Sequence, residues 1–421
     1  MSSVLLVAAI FSLISLHSAD RDPTLEFVQI WFRHGERLPT HYLRLQNESF
    51  DFLDLAYPGE LTNRGLQQEY HLGQVLRKFY GDHFGEYYRP AEIFVYTGKD
   101  NRTSTSAQAL FAGFFPPNEA QKWSSDLLWQ PIAQHTDESI DWVSIGVQED
   151  CPSYNEWFTG NQEYREISKK IETLYPDMVQ LLREKTGRQL DTPLAINRIF
   201  DSLKCRWLLN DPRLPVPDWA EKYIPQVLTA SFMLHNDVLN MQNSTIGEYH
   251  NEVILSLMED HMNRKNFKGA FISGHDTNIV MLWKSLSLGA HPDEIPSYGS
   301  HLAVELHKQN GRRVVKFWLS MAAAENRTQL TTPMCGEPCF LENLQEITKG
   351  VRKLKTDWYA QCKGMENLTS SPTSMVTVIM IIVTAILLLL TLILGCTTLS
   401  YRKQLKSLTD PERSRLLPYV N

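Results

Sequence analysis

The chain's 421 residues suffice for one large core with an insertion or for two domains, and a composition of 43% hydrophobic and 10% aromatic residues excludes a disordered polymer. A formal charge of -7 at pH 7, with no basic stripe, excludes an extended nucleic-acid surface, so any anion site has to be local.

The first element is an apolar run, Val4 to Leu16, too short to span a membrane comfortably and followed by the small residues Ser18 and Ala19. It reads as a signal peptide over residues 1–19, with the mature chain starting near Asp20. Leu25 to Phe32 is β-rich and largely apolar and stops abruptly at Arg33-His34-Gly35, the pattern of a buried strand delivering charge at its C-terminal end. A helical pattern runs from Gly65 to Tyr80. A second strand, Ile93 to Tyr96, leads into Thr97-Gly98-Lys99-Asp100-Asn101-Arg102, and a second helical pattern covers Ser104 to Phe114. Residues 131–238, rich in helix formers and punctuated by prolines such as those between Asp211 and Pro217, read as a mainly helical cap insertion. A third strand, Ala270 to Ser273, ends at Gly274-His275-Asp276. The alternation argues for a doubly wound α/β sheet built from two parts, 20–130 and 239–365. Such sheets bind ligands at the carboxyl ends of their strands, where all three charged clusters fall.

Met375 to Leu394 carries no charge and is long enough to cross a bilayer, which predicts a membrane helix over 375–397 after a linker at 366–374. Arg402, Lys403 and Lys406 place the tail, 398–421, on the cytoplasmic side and the bulk of the chain on the lumenal side. Five Asn-X-Ser/Thr sequons begin on that side, at Asn47, Asn101, Asn243, Asn326 and Asn367. Cys151, Cys205, Cys335, Cys339 and Cys362 lie in the same oxidising compartment, and their odd number leaves one thiol free. Cys335-Gly-Glu-Pro-Cys339 reads as a local disulfide rather than half a zinc site, because no second Cys/His pair follows at suitable spacing. His41, His71, His83 and His261 show no metal-ligand spacing and read as ordinary histidines.

The segment Arg33-His34-Gly35-Glu36-Arg37 sets two arginines around one imidazole, a costly crowding of charge unless an anion is expected. Guanidinium forks match phosphate oxygens, and the surrounding positive charge lowers the imidazole pKa, leaving a neutral nucleophile in mildly acidic solution. Gly35 is read as clearing space for the substrate.

Arg33-His34-Gly35-Glu36-Arg37-Leu38-Pro39 resembles the RHGxRxP signature of the histidine acid phosphatases at every fixed position. Gly274-His275-Asp276-Thr277-Asn278 is similar to that family's distal His-Asp element. Asn101-Arg102-Thr103, with Ser106-Ala107 and Phe115-Pro116-Pro117, is similar to its central Arg-Thr segment. The resemblance implies a phosphoglycerate mutase-like, doubly wound mixed sheet and hydrolysis of small phosphate monoesters. It implies that His34 attacks phosphorus, that Arg33, Arg37, Arg102 and His275 bind the phosphoryl oxygens, and that Asp276 protonates the leaving alkoxide. No metal or cofactor is implied, and a homodimer is. An ordinary aspartate is ionised at about pH 5, so the acid role needs the nearby phosphate or a raised pKa. The family pairings imply disulfides Cys151–Cys362 and Cys335–Cys339. The partner expected for Cys205 is missing from Tyr298-Gly-Ser-His301, which makes Cys205 the expected free thiol.

Where the family usually has Asp before the central arginine, this chain has Asn101, which removes a negative charge beside the clamp. A glycan there would crowd the site, so glycosylation is expected at Asn47, Asn243, Asn326 and Asn367 but not at Asn101. In the tail, Glu412-Arg-Ser-Arg-Leu416-Leu417 fits an acidic dileucine pattern for a sorting adaptor, with lysosomal delivery and cell-surface residence both open. The competing reading is a catalytically silent ectodomain, with Asn101 its one support.

Overall fold

The computed structural model describes residues 22–43, 57–143, 151–153, 156, 160–264, 266–289, 294–350, 354–363 and 372–408. The signal-peptide segment, the tail beyond 408, Asn47 and Asn367 lie outside the described residues. Met1–Tyr359 forms one compact unit and Ala360–Asn421 another.

The first unit is built on a seven-stranded mixed sheet, as the alternating pattern predicts. Its strands are β1 (Leu25–Arg33), β2 (Ile93–Thr97), β3 (His135–Thr136), β4 (Gly269–Gly274), β5 (His301–Gln309), β6 (Arg312–Ser320) and β7 (Thr328–Leu330). They lie in the order β3-β2-β4-β1-β5-β6-β7. β3, β2, β4 and β1 run parallel to one another, whereas β5 pairs antiparallel with β1, and β6 and β7 continue the antiparallel pairing. Within β1 the side chains alternate between two apolar layers. Val28, Ile30 and Phe32 meet α1 (Asn63–Phe84) and α2 (Asn101–Phe114) through Leu72, Leu76, Leu110 and Phe111. On the other face Phe27 and Trp31 share a core with Ile254, Met258, Ile279 and Leu282. Gln29 points to that same side and donates to the Ile254 carbonyl, so one polar side chain is satisfied inside an apolar layer.

Between β3 and β4 the described chain is mostly helical: α3 (Gln162–Leu174), α4 (Pro176–Thr186), α5 (Pro193–Leu209), α6 (Asp218–Glu221) and α7 (Ile224–Asn263). α5 starts where Thr192 caps the Ala195 amide and stops where Asn210 turns left-handed at φ 48°. α8 (Asp276–Ser285) follows β4 directly, and α9 (Leu341–Thr348) and α10 (Lys355–Cys362) come after β7.

Cys335 and Cys339 form the expected local disulfide, Cys151 and Cys362 are each disulfide-bonded, and Cys205 is a free, buried thiol. Asn326 is exposed, and Asn243 sits within α7. The predicted membrane segment is part of one continuous helix, α11 (Pro372–Leu408), in which Ile379–Lys406 is long and apolar enough to cross a bilayer and is unburied.

Candidate active site

The register of the sheet assembles the site. Arg33 at the end of β1 is opposite Gly274 at the end of β4, and Thr97 of β2 is opposite Ser273. The residues that follow each strand therefore emerge side by side, and the rings of His34 and His275 stand 5.4 Å apart, edge to face. They line a cavity of about 260 Å³ together with Arg33, Arg37, Arg102 and Asp276, so the structure brings together all six residues picked out by sequence.

His34 is buried and its backbone is held by hydrogen bonds from its own amide to Gly274 and from the Gly35 amide to Ser106 Oγ. Its Nδ1 lies 2.8 Å from the Gly35 carbonyl oxygen. A carbonyl only accepts, so Nδ1 carries the proton and Nε2 keeps its lone pair. Burial, then the charges of Arg102 and Arg33, hold the His34 pKa well below the usual histidine value. The imidazole is neutral in mild acid, as the sequence implies.

Each clamp arginine is poised by a carboxylate. Arg33 donates to Asp276 at 3.0 Å and to the Pro296 carbonyl, and lies 4.3 Å over the Tyr298 ring. Arg37 makes a two-pronged pair with Asp201 of α5, at 2.8 and 3.2 Å, and Arg102 pairs with Asp100. His275 Nε2 donates to Asp141 at 2.8 Å, while the Lys99 amide holds that carboxylate's other oxygen. The Nε atoms of all three arginines are buried without a hydrogen-bond partner among the described residues.

Asp100, Asp141, Asp201, Lys204 and His235 were not readable as site residues, yet all line the cavity, as does His41. Gly98 is the one local signal for Asp141: a Cβ there would fall 2.0 Å from its carboxylate. Asn101 calls for a correction. The carboxylate beside the clamp is not lost, because Asp100 supplies it one position earlier, and Asn101 itself is exposed and donates to Glu60. Gly35 calls for another. Its Cβ would lie 2.4 Å from the Gly65 carbonyl, so the close approach of α1 by itself requires glycine there.

Asp276 has no raised pKa in the free site. Burial pushes it up, but Arg33, His235 and Lys204 outweigh burial and bring it down to about 2. Asp100, Asp141 and His275 bring three potential metal-ligand atoms within 4.8 Å of one another. These groups are already bonded to Arg102, to the Lys99 amide and to each other, and a cation there would face the Arg102 guanidinium.

An imidazole with a free lone pair, ringed by guanidinium groups at the strand ends of a doubly wound sheet, defines a phosphoric monoester hydrolase. The chain belongs to the histidine phosphatase superfamily (branch 2), whose profile matches residues 24–320. It is similar to venom acid phosphatase Acph-1 of Apis mellifera, 28% identical over 346 residues that cover 78% of this chain and 85% of the relative. Prostatic acid phosphatase of Rattus norvegicus is 27% identical, with 82% and 91% covered, and lysosomal acid phosphatase of Xenopus laevis is 27% identical, with 88% and 85% covered. Among solved structures, the apo phytase of Hafnia alvei shares the fold at a TM-score of 0.55 and 16% identity, covering 78% of this chain and 97% of its own. The phytase of Citrobacter braakii does so at 0.55 and 19%, covering 81% and 99%.

Proposed function

We propose that this phosphatase is metal-independent and works through a covalent phosphohistidine on His34. The observation that carries the reading is the fixed tautomer: Nδ1–H is spent on the Gly35 carbonyl, so Nε2 is an unprotonated nucleophile among three arginines. Nε2 attacks phosphorus as the bond to the alkoxide breaks. Arg33, Arg37, Arg102 and His275 balance charge on the phosphoryl oxygens, the work that a metal ion does in other phosphoryl-transfer sites.

Asp276 supplies the proton to the leaving oxygen. It is ionised in the free site, and its proton comes from the substrate, because a phosphate with a second pKa near 6 arrives singly protonated in mild acid. The phosphoryl oxygens draw Arg33 away from Asp276 and add negative charge beside it, and both changes raise its proton affinity. Water then attacks the phosphohistidine and returns its proton to Asp276, releasing inorganic phosphate and neutral His34.

The anchor fits type I topology with the catalytic unit lumenal, and the pattern ending at Leu416-Leu417 fits an adaptor that sorts the protein to lysosomes. A homodimer is proposed from the family alone. The test uses the full chain in detergent with p-nitrophenyl phosphate near pH 5 and EDTA, together with rapid quenching to trap a base-stable, acid-labile phosphoryl label. Turnover and label should survive EDTA and vanish in His34→Ala. A fully active His34→Ala protein, or activity restored only by added metal, overturns the reading.

A further inference from the structure

Five cations and four carboxylates line the cavity. Arg33, Arg37 and Arg102 are each matched to Asp276, Asp201 and Asp100, and His275 takes Asp141. Lys204 stands in the field of Asp201 and Asp276. Lys204 and Arg198 make no ion pair among the described residues, and of the two only Arg198 has a buried donor without a partner. Among the described residues it makes no hydrogen bond and no ion pair, yet its Nε is sealed from solvent without a partner, unlike the guanidinium of a solvated surface arginine.

Its place on α5 is specific. Leu194, Asn197, Arg198, Asp201 and Lys204 all line the cavity, at spacings that put them on one face of the helix. Asp201 fixes the position of Arg37, and Arg198 lies one turn before it, about 4.5 Å of helical rise farther along the cavity wall. The neighbouring Asn197 offers an amide that is likewise unspent among the described residues.

We infer that Arg198, assisted by Asn197, is a specificity residue that binds a second anionic group of the substrate. The inference rests on the phosphatase reading and names the substrate class: phosphomonoesters carrying a further phosphate or carboxylate a few bonds from the reacting phosphate. A guanidinium left unpaired beside a phosphoryl clamp repels the clamp's own arginines, and a bound anion relieves that repulsion. The second group does not react, so its contribution falls on KM rather than on kcat.

The test compares propyl phosphate, its analogue with a terminal carboxylate, and propanediol bisphosphate, with the butyl and pentyl counterparts scanning reach. The full chain should prefer the doubly anionic compounds. Arg198→Ala should lower the ratio of kcat/KM for bisphosphate over propyl phosphate by about tenfold or more, the worth of one charge-assisted hydrogen bond. Arg198→Lys should keep part of the preference, and Arg198→Gln serves if the alanine variant does not fold. Loss only for the bisphosphate, or only for the carboxylate, tells which acid the site takes. A wild-type ratio near one, or a ratio unmoved by Arg198→Ala, overturns the proposal. Calorimetry separates the two readings: an inert protein that still binds the bisphosphate through Arg198 sinks the hydrolytic mechanism and leaves the subsite standing.

Discussion

In the proposed mechanism Asp276 is a carboxylate when it holds Arg33 and an acid when the substrate oxygen leaves, so its removal should be felt in proportion to how badly the leaving group needs a proton. Asp276→Asn keeps the shape and cannot deliver that proton. It should slow alkyl phosphates by roughly 100- to 10,000-fold, the usual worth of general acid catalysis, and slow p-nitrophenyl phosphate far less, because nitrophenolate leaves unaided. Equal losses on both, read from kcat, would reduce Asp276 to a partner of Arg33. The residues proposed for this reaction were legible where they are contiguous: a run such as Arg33-His34-Gly35-Glu36-Arg37 crowds positive charge that an anion must offset, and His275-Asp276 closes a strand. The carboxylates that poise them were not. Asp201 is one acidic residue in a cap helix, and nothing in local spacing says that it faces Arg37, 164 residues earlier. Asp100 was masked by its neighbour Asn101, where a motif position had changed, although the compensating charge was next door.

At the scale of elements, the loop after β1 is fixed by its fit against the start of α1. Thr62 caps that helix at the Gly65 amide and also donates to Glu36 at 2.9 Å, Arg64 pairs with the same carboxylate, and Gln68 accepts from the Glu36 amide. The two backbones meet at two glycines: a Cβ on Gly35 would lie 2.4 Å from Gly65, and one on Gly65 would lie 2.1 Å from the Glu36 carbonyl. No rotamer relieves a backbone clash, so Gly35→Ala must push the loop and α1 apart. The expected cost is roughly 1–3 kcal/mol in stability, and roughly 100-fold in kcat if His34 moves by about an ångström. Urea unfolding and steady-state kinetics on one preparation check both, and a fully active, equally stable variant would mean that the loop is not clamped. The strands that carry the site and the two helices beside them were legible from apolar runs and helical periods, with ends extended by one to four residues in the structure. The cavity-facing stripe of α5 was not, because its opposite face is also buried, at Ile196, Ile199 and Leu203, so no polar and apolar sides separate in the sequence.

For the molecule as a whole, acid tolerance is set by buried groups of opposite sign. His34, His235 and His301 are held neutral, the last two by burial and neighbouring cations with pKa values pushed down to about 4. A histidine whose folded pKa is depressed lends stability that is complete above its unfolded value, near 6.5, and is lost as pH falls toward the folded value. These three therefore make the fold weaker at pH 5 than at 7. Glu69 works against them. It lies buried in α1, neither carboxyl oxygen has a hydrogen-bond partner among the described residues, and burial raises its pKa well above the ordinary value. The folded chain keeps that proton while the unfolded chain releases it above about pH 4.5, so Glu69 costs the native state about 1.4 kcal/mol for each pH unit from there up to its folded pKa. Glu69→Gln preserves volume and removes the titration. Its unfolding free energy relative to the native sequence should therefore shift in its favour as pH rises from 4 through 7, whatever constant offset the buried amide adds. Urea midpoints of both proteins at each pH, with the disulfides intact, read that slope directly. A difference that stays flat across the range would mean that Glu69 is ionised in the fold, held by a group that solvates it, and the acid-side stability would then have to come from elsewhere in the molecule.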